Sequence, residues 1–157
     1  MKRTLLFSCV AAAGLLAACK KDSTDPVATG PSAKTTALLN KRWGLTAATA
    51  QQGSITQNAF AQLQACHKDD YLRFNDDHTA EANEGPLKCD ATDPQSRPGT
   101  WELAANESKL LLTTSLFGTG GAALTDIIEL SATRMVLRGT VIDSGVTTTY
   151  TATLTPY

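Results

Sequence analysis

The run Val146-Thr147-Thr148-Thr149-Tyr150-Thr151-Ala152-Thr153-Leu154, near the C-terminus, decides the fold class. One face of the run carries Val146, Thr148, Tyr150, Ala152 and Leu154, and the other face carries only threonine. Alternation with a period of two is typical of a β-strand that is buried on one side. Threonine is β-branched and polar, so it suits the solvated side. The run therefore predicts an amphipathic strand and an all-β protein.

Shorter runs with the same alternation lie upstream. Their apolar residues are Trp43, Leu45 and Ala47, then Leu72 and Phe74, Trp101 and Leu103, Ile128 and Leu130, and Met135, Leu137 and Val141. Residues typical of tight turns separate the runs at Asn75–His78, Asn106–Ser108, Ser131–Thr133 and Asp143–Gly145. About eight runs at a spacing of roughly 8–12 residues predict a β-barrel or a β-sandwich.

Two short helices are predicted beside these strands. Residues 33–40 follow Ser32, which can act as an N-cap, and residues 58–65 precede the second candidate strand. Leu38 and Leu39 of the first helix are expected to plug one end of a barrel.

The N-terminus has the pattern of a secretory signal peptide. Met1-Lys2-Arg3 is basic, and residues 5–18 are apolar except for Ser8. The stretch ends in Leu16-Ala17-Ala18-Cys19, which resembles a bacterial lipobox. The resemblance implies cleavage before Cys19 and acylation of its thiol, and it implies that Cys9 is lost with the signal peptide. The alternative is an ordinary cleavable signal followed by a chance cysteine.

The chain divides into three parts on these grounds. We expect a signal peptide over residues 1–18, a lipidated cysteine and flexible tether over 19–32, and a folded domain over 33–157. Several acyl chains anchor a protein stably to a membrane, so a lipid-anchored location in the bacterial cell envelope is predicted, with the outer membrane favoured. A net charge of −1 argues against a nucleic-acid partner.

Export changes how the cysteines are interpreted. Cys66 and Cys89 are the pair that remains after cleavage and lipidation. In an oxidising compartment they are expected to form a disulfide that closes a loop of about 24 residues, worth roughly 3–4 kcal/mol in the chain-entropy account. A metal pair and a redox pair are the alternatives, although two cysteines alone make a poor zinc site.

A family resemblance begins at the first of these cysteines. The segment 66–77, with the sequence CHKDDYLRFNDD, resembles a segment of lipocalin-like lipoproteins from Bacteroidetes-type bacteria. Residues 85–89, the strand 99–103 and the closing strand 150–155 continue the resemblance. It implies an up-and-down antiparallel β-barrel of about eight strands over most of the mature chain. No particular enzymatic activity comes with it.

Patterns for catalysis or metal binding are weak. The strongest metal hypothesis combines two histidines with nearby carboxylates: His67 with Asp69 and Asp70, and His78 with Asp76 and Asp77. The alternative is that the first group is a solvated loop and the second a hairpin turn. Asp69 and Asp70 are adjacent and would point to opposite faces of a strand. Asn83, Asp90 and Asp93 lack the spacing of a calcium loop. The sequence has no nucleophile elbow, and Gly118–Gly121 lacks the Lys-Ser/Thr of a phosphate loop. We therefore predict no catalytic residue, metal or cofactor.

Four aromatic residues, Trp43, Phe74, Trp101 and Tyr150, are predicted to face the barrel interior. They either fill the barrel or line a pocket, because an eight-stranded interior holds side chains or one small ligand. The residues predicted to point inward include no charged side chain, so any ligand should be apolar, with Tyr150 offering one hydrogen bond.

These observations predict a non-catalytic, membrane-anchored lipocalin-like protein that binds a small apolar ligand. The alternative is an envelope interaction or inhibitor module. Such a module would bind another protein through the loops 86–98 or 116–123.

Overall fold

A computed structural model describes residues 30–114 and 122–157. The predicted signal peptide, Cys19 and most of the tether lie outside these residues, as do the Gly118–Gly121 motif and most of the 116–123 loop. Within the described residues the elements, in chain order, are α1 (Ala33–Leu38), β1 (Arg42–Gln52), β2 (Ile55–Asn58), α2 (Ala59–Gln62), a 3-10 turn (Ala65–His67), β3 (Tyr71–Phe74), β4 (Thr79–Asn83), β5 (Ser96–Ala104), β6 (Lys109–Leu112), β7 (Ala123–Leu130), β8 (Met135–Asp143) and β9 (Val146–Pro156).

Eight of the strands close into an antiparallel barrel. β3 to β8 each pair with the next strand in sequence, and β1 closes the ring by pairing with both β3 and β9. The predicted all-β, up-and-down barrel is therefore confirmed. β2 is an additional strand, which pairs only with the second half of β1, from Thr49 to Gln52.

β1 departs from simple alternation at Thr46. Leu45 pairs with Leu154, but the next register position pairs Ala47 with Thr153. An extra residue of this kind is a β-bulge, and it reverses the faces of the residues that follow. Ala48 packs against the core, whereas Ala47 is exposed. The prediction that Ala47 shares a face with Leu45 is therefore wrong.

The largest side chains fill one end of the barrel, which we call the closed end. The fully buried large residues are Trp43, Phe74, Leu38, Leu110, Met135 and Leu154. Leu45, Leu72, Trp101 and Leu137 are also buried, and Leu103 and Leu130 pack against them. Burial of apolar area on this scale is the main source of stability. The predicted inward direction agrees with this burial for Trp43, Leu45, Leu72, Phe74, Trp101, Leu103, Leu130, Leu137 and Leu154.

Helix α1 plugs the closed end. The Ser32 hydroxyl accepts a hydrogen bond from the Thr35 N–H at 3.0 Å, so Ser32 is the N-cap. Leu38 is fully buried, and its carbonyl accepts a 2.9 Å hydrogen bond from Trp43 Nε1. The expected plug is thus held both by packing and by a buried hydrogen bond.

Short turns join β3 to β4, β5 to β6, β7 to β8 and β8 to β9, at the predicted positions. Asp143 pairs with Val146, so β8 and β9 are joined by a two-residue turn. Ser144 has a φ of 50° and Gly145 a φ of 79°. Two positive φ values are typical of the type I′ turn, whose twist matches that of the strands it joins.

The second helix is shorter than predicted. Only Ala59–Gln62 is α-helical, with Asn58 as the N-cap, and a separate 3-10 turn follows at Ala65–His67. Phe60 and Leu63 nevertheless pack against the core, as their spacing indicated. No helix in the described part of the chain has the length and apolar character needed to cross a membrane.

Candidate functional site at the open end of the barrel

Four strands continue beyond the barrel at the end opposite α1. β3 pairs with β1 only as far as Gly44, and β2 takes its place beside β1 from Thr49 onward. β8 and β9 pair out to Asp143 and Val146. We call this four-stranded extension, in the order β2-β1-β9-β8, the apron. We call this second end of the barrel the open end. The apron extends beyond it on one side only.

A cleft of about 450 Å³ lies against the apron. It is lined by Gln52, Val141, Asp143, Ser144, Val146, Thr148 and Tyr150. Val141 pairs with Thr148 and Asp143 pairs with Val146, so these side chains share the face that continues the barrel interior. The volume falls within the usual range for small-molecule sites, roughly 300–1,000 Å³.

The cleft carries apolar side chains that the core does not cover. Tyr150 is 45% exposed and Val141 is 53% exposed, although both lie on the inward-facing side of their strands. Polar atoms lie beside them, since Gln52 Nε2 donates a 2.8 Å hydrogen bond to the hydroxyl of buried Thr148. An apolar surface with a few placed hydrogen-bonding groups is the usual character of a ligand site.

The four predicted pocket residues do not lie together. Trp43 and Phe74 are fully buried, and Trp101 packs edge-on against Phe74 with 5.9 Å between ring centres. Both indole N–H groups are engaged: Trp43 donates to Leu38, and Trp101 Nε1 donates to the Asn75 carbonyl at 2.9 Å. These three rings fill the barrel, and of the four only Tyr150 lines the cleft. Tyr150 lies on the predicted inward face of β9, where it is 45% exposed at the cleft.

A cluster of charged residues lies at the same end of the barrel, where β3 and β5 begin and β4 ends. Arg97 Nη2 lies 2.8 Å from Glu84 Oε1 and 3.3 Å from Asp93 Oδ2. Asp70 is only 3% exposed, and its Oδ1 has no hydrogen-bond partner within the described residues. Burial raises the pKa of Asp70, and the hydrogen bond from His67 opposes that shift. We call Asp70, Glu84 and Arg97 the charged rim.

Sequence reasoning missed the charged rim, but the signal was present. Ala80, Ala82 and Glu84 alternate along β4, and Arg97 precedes Gly99 and Trp101 on the same face of β5. Extending each alternation by one step beyond the apolar residues places Glu84 and Arg97 inside the mouth. Glu84 is buried at the end of its run, and its ion pair with Arg97 compensates its charge there.

The disulfide lies next to the charged rim. Cys66 and Cys89 are bonded, which confirms their predicted pairing. His67 Nδ1 lies 3.3 Å from Asp70 Oδ2, and His67 Nε2 lies 3.4 Å from Cys89 Sγ. The imidazole therefore bridges a buried carboxylate and a disulfide sulfur.

The structure does not bring together the residues of the predicted metal and calcium sites. His67 and His78 lie at opposite ends of β3, and the His78 ring stacks on Trp101 at 5.0 Å. Asp69 Oδ2 accepts from the Leu87 N–H at 2.8 Å and does not join Asp70 in a site. Within residues 30–114 and 122–157, Cys66, His67 and Cys89 are the one group with metal-ligand spacing, and both of its sulfurs are consumed by the disulfide.

A closed antiparallel barrel of eight strands, plugged by a helix at one end and carrying a cleft at the other, is an up-and-down β-barrel. Residues 39–137 match the family described as the lipocalin-like domain. The protein belongs to the lipocalin-like domain family. Members of this fold family generally bind or transport ligands, which is consistent with the cleft at the open end.

Three solved structures of bovine odorant-binding protein are similar to the chain. A deswapped triple mutant shares 15% identity over 76% of this chain and 73% of that chain, with a TM-score of 0.44. A complex with a selenium-containing odorant shares 14% identity over 82% and 74%, with a TM-score of 0.43. The complex with its natural ligand shares 14% identity over 82% and 76%, with a TM-score of 0.44. No curated protein matches the chain.

Proposed function

We propose that this protein is a lipid-anchored lipocalin-like protein of the bacterial cell envelope that binds a small, mainly apolar ligand in the cleft at its open end. The observation that carries the proposal is the half-exposed state of Val141, Val146 and Tyr150 on the inner face of the apron. Large apolar residues such as Leu137 and Leu154, further along the same face of β8 and β9, are buried. An apolar ligand that covers these side chains would gain binding free energy of roughly 25 cal/mol for each Å² of apolar surface removed from water.

The lining also limits the chemistry of the ligand. It contains hydroxyl and amide groups at Ser144, Thr148 and Gln52, and one carboxylate at Asp143, but no cation. A ligand carboxylate would meet Asp143 without a positive partner, which is costly once water is excluded. The cleft therefore favours a neutral or cationic polar group attached to an apolar body.

Anchoring is compatible with the position of this cleft. The tether would run from Cys19 to α1, which begins at Ala33 and packs at the closed end. A domain held from its closed end can present the open end away from the membrane surface. This arrangement supports the proposal that the ligand enters the cleft from the surrounding aqueous space.

A pair of adjacent substitutions tests the cleft. Val141→Asp places a carboxylate in the lining and should weaken binding of the fluorescent probe N-phenyl-1-naphthylamine by at least about tenfold, or ~1.4 kcal/mol. Ile142→Asp is the matched control, because Ile142 is 71% exposed on the opposite face of the same strand. The affinity of the Ile142→Asp protein for the probe should change less than about twofold.

Displacement of the probe tests the ligand class in the same assay. A long-chain alcohol or amine should displace it at lower concentration than the fatty acid of equal length, because only the fatty acid adds a carboxylate beside Asp143. Equal loss of binding in the Val141→Asp and Ile142→Asp proteins, or no saturable binding by the unaltered protein, would contradict the cleft as the ligand site.

The anchor is tested through Cys19. Cys19→Ser should give an unprocessed precursor without a radiolabelled acyl group, because the modified thiol is absent. Cys9→Ser is the control and should be processed and labelled normally, since Cys9 lies within the predicted signal peptide. If the Cys19→Ser protein is matured and stays on the membrane without acyl groups, the lipobox assignment is wrong.

A second candidate function is an interaction module. One observation favours it: Leu87 is exposed on the 86–98 loop beside the disulfide. If no apolar compound binds the cleft saturably, a protein partner that covers Leu87 becomes the better explanation of the exposed apolar surface.

A further inference from the structure

The surroundings of the two disulfide sulfurs differ. Cys89 is exposed, and its Sγ lies 3.4 Å from the Nε2 atom of His67. Cys66 is half-buried, and its Sγ lies 3.6 Å from the side-chain oxygen of Gln64. A ring nitrogen can donate a proton to a sulfur, whereas an amide oxygen can only accept one. A group that can donate a proton therefore faces the Cys89 sulfur, and an acceptor faces the Cys66 sulfur.

We propose that Cys66–Cys89 is a thiol–disulfide exchange site in which Cys66 is attacked, Cys89 is the leaving sulfur, and His67 serves as its proton donor. The reacting partner is a small thiol or dithiol. This role goes beyond holding the loop in place, and it makes the disulfide chemically asymmetric.

The carboxylate of Asp70 completes the arrangement. With Nδ1–H donating to Asp70 Oδ2 at 3.3 Å, the other ring nitrogen faces the sulfur. An imidazolium at His67 would then lie between the Asp70 carboxylate and the departing Cys89 sulfur. Asp69 and Glu84 are the other charged groups that act on Asp70, and Arg97 pairs with Glu84 at 2.8 Å. Asp70 is a positioning residue in this account, because it touches neither sulfur.

The exchange balances as follows. A thiolate of the partner attacks Cys66 Sγ and forms a mixed disulfide, and the Cys66–Cys89 bond breaks. The bond's electron pair goes to Cys89 Sγ, which takes a proton from His67 Nε2. If the partner is a dithiol, its second thiolate attacks its own bonded sulfur and releases Cys66. The dithiol is oxidised to a disulfide. The two protons lost by its thiols replace the proton given up by His67 and protonate the Cys66 thiolate, so the protein gains two electrons and two protons.

The position of the mixed disulfide is the direct test. The purified, oxidised full-length protein in detergent is mixed with reduced glutathione at pH 7, quenched early with acidic N-ethylmaleimide, and mapped by peptide mass spectrometry. We expect glutathione on Cys66 and maleimide on Cys89, in about tenfold excess over the reverse pattern, since the sulfur that receives a proton from His67 leaves faster. Peptide mapping separates these cysteines from Cys9 and Cys19.

Matched variants assign the asymmetry to the imidazole. His67→Gln should bring the two patterns close to equality and slow the reaction, and Asp70→Asn should reduce the preference in the same direction. His78→Gln is the control and should keep the native ratio, because the other histidine stacks on Trp101 away from the disulfide. Each protein is first shown to be oxidised by the lack of maleimide on residues 66 and 89.

Two results would overturn the proposal. One is an equal or reversed pattern in the unaltered protein. The other is an unchanged ratio in the His67→Gln protein, which would leave the loop backbone as the source of the asymmetry.

Discussion

Replacing Trp43 with alanine is expected to lower the free energy of unfolding by about 3–5 kcal/mol, the largest loss for any single residue of the barrel. Trp43 has no exposed area, and it packs at the centre of the closed end. The substitution leaves a cavity and also removes the 2.9 Å hydrogen bond to the Leu38 carbonyl, which ties α1 to the barrel. Urea unfolding followed by circular dichroism measures the loss.

Tyr150→Ala is the control for the loss of an aromatic ring. Tyr150 is 45% exposed, so its removal should cost less than about 1 kcal/mol. The pair separates a ring that fills the core from a ring that lines the cleft. Comparable losses in the two variants would mean that the barrel is not packed around Trp43 as described.

Removing the disulfide should produce the second large effect. The Cys66→Ala/Cys89→Ala protein should lose roughly 3–4 kcal/mol of stability in the chain-entropy account, with the strand content unchanged. The bond joins positions 23 residues apart, and it holds the 3-10 turn to the loop after β4. Urea midpoints of the unaltered protein with and without a reductant should differ in the same direction.

The double substitution also distinguishes the effect of the disulfide on stability from any effect on ligand binding. The cleft on the apron lies on β1, β8 and β9, none of which carries either cysteine. The affinity for N-phenyl-1-naphthylamine should therefore change less than about threefold, or ~0.7 kcal/mol. Loss of probe binding with unchanged stability would contradict this division of roles.

Alternation in the sequence is sufficient to predict the barrel and most of its core. Leu154, Leu137 and Phe74 are buried as their positions in the runs require. A period of two assigns faces reliably as long as the strand is regular. It fails at Thr46, because a bulge depends on pairing with a distant strand and leaves no local mark in the sequence. The short strand β2 was missed for a similar reason, since all four of its residues are exposed.

The site was only partly predictable. The disulfide pair followed from counting the cysteines that remain after cleavage and lipidation. Tyr150 was included among the candidate pocket residues because of its face on β9. Face alone does not say whether a side chain is buried, because the same face runs from the packed core to the open end. Where the apolar filling stops depends on strand lengths and on the apron, which are properties of the whole sheet. The contact of His67 with both Asp70 and Cys89 likewise arises only when two loops meet.

The central claim is that the ligand site lies in the cleft on the apron and not within the packed barrel. Methyl and indole NMR spectra of the protein, titrated with a long-chain alcohol, test it most directly. We predict saturable shifts of the Val141 and Val146 methyl groups, and no shift of the Trp43 indole N–H, which stays bonded to Leu38. Saturable shifts of the Trp43 and Trp101 indole signals, with the two valines unchanged, would contradict the account.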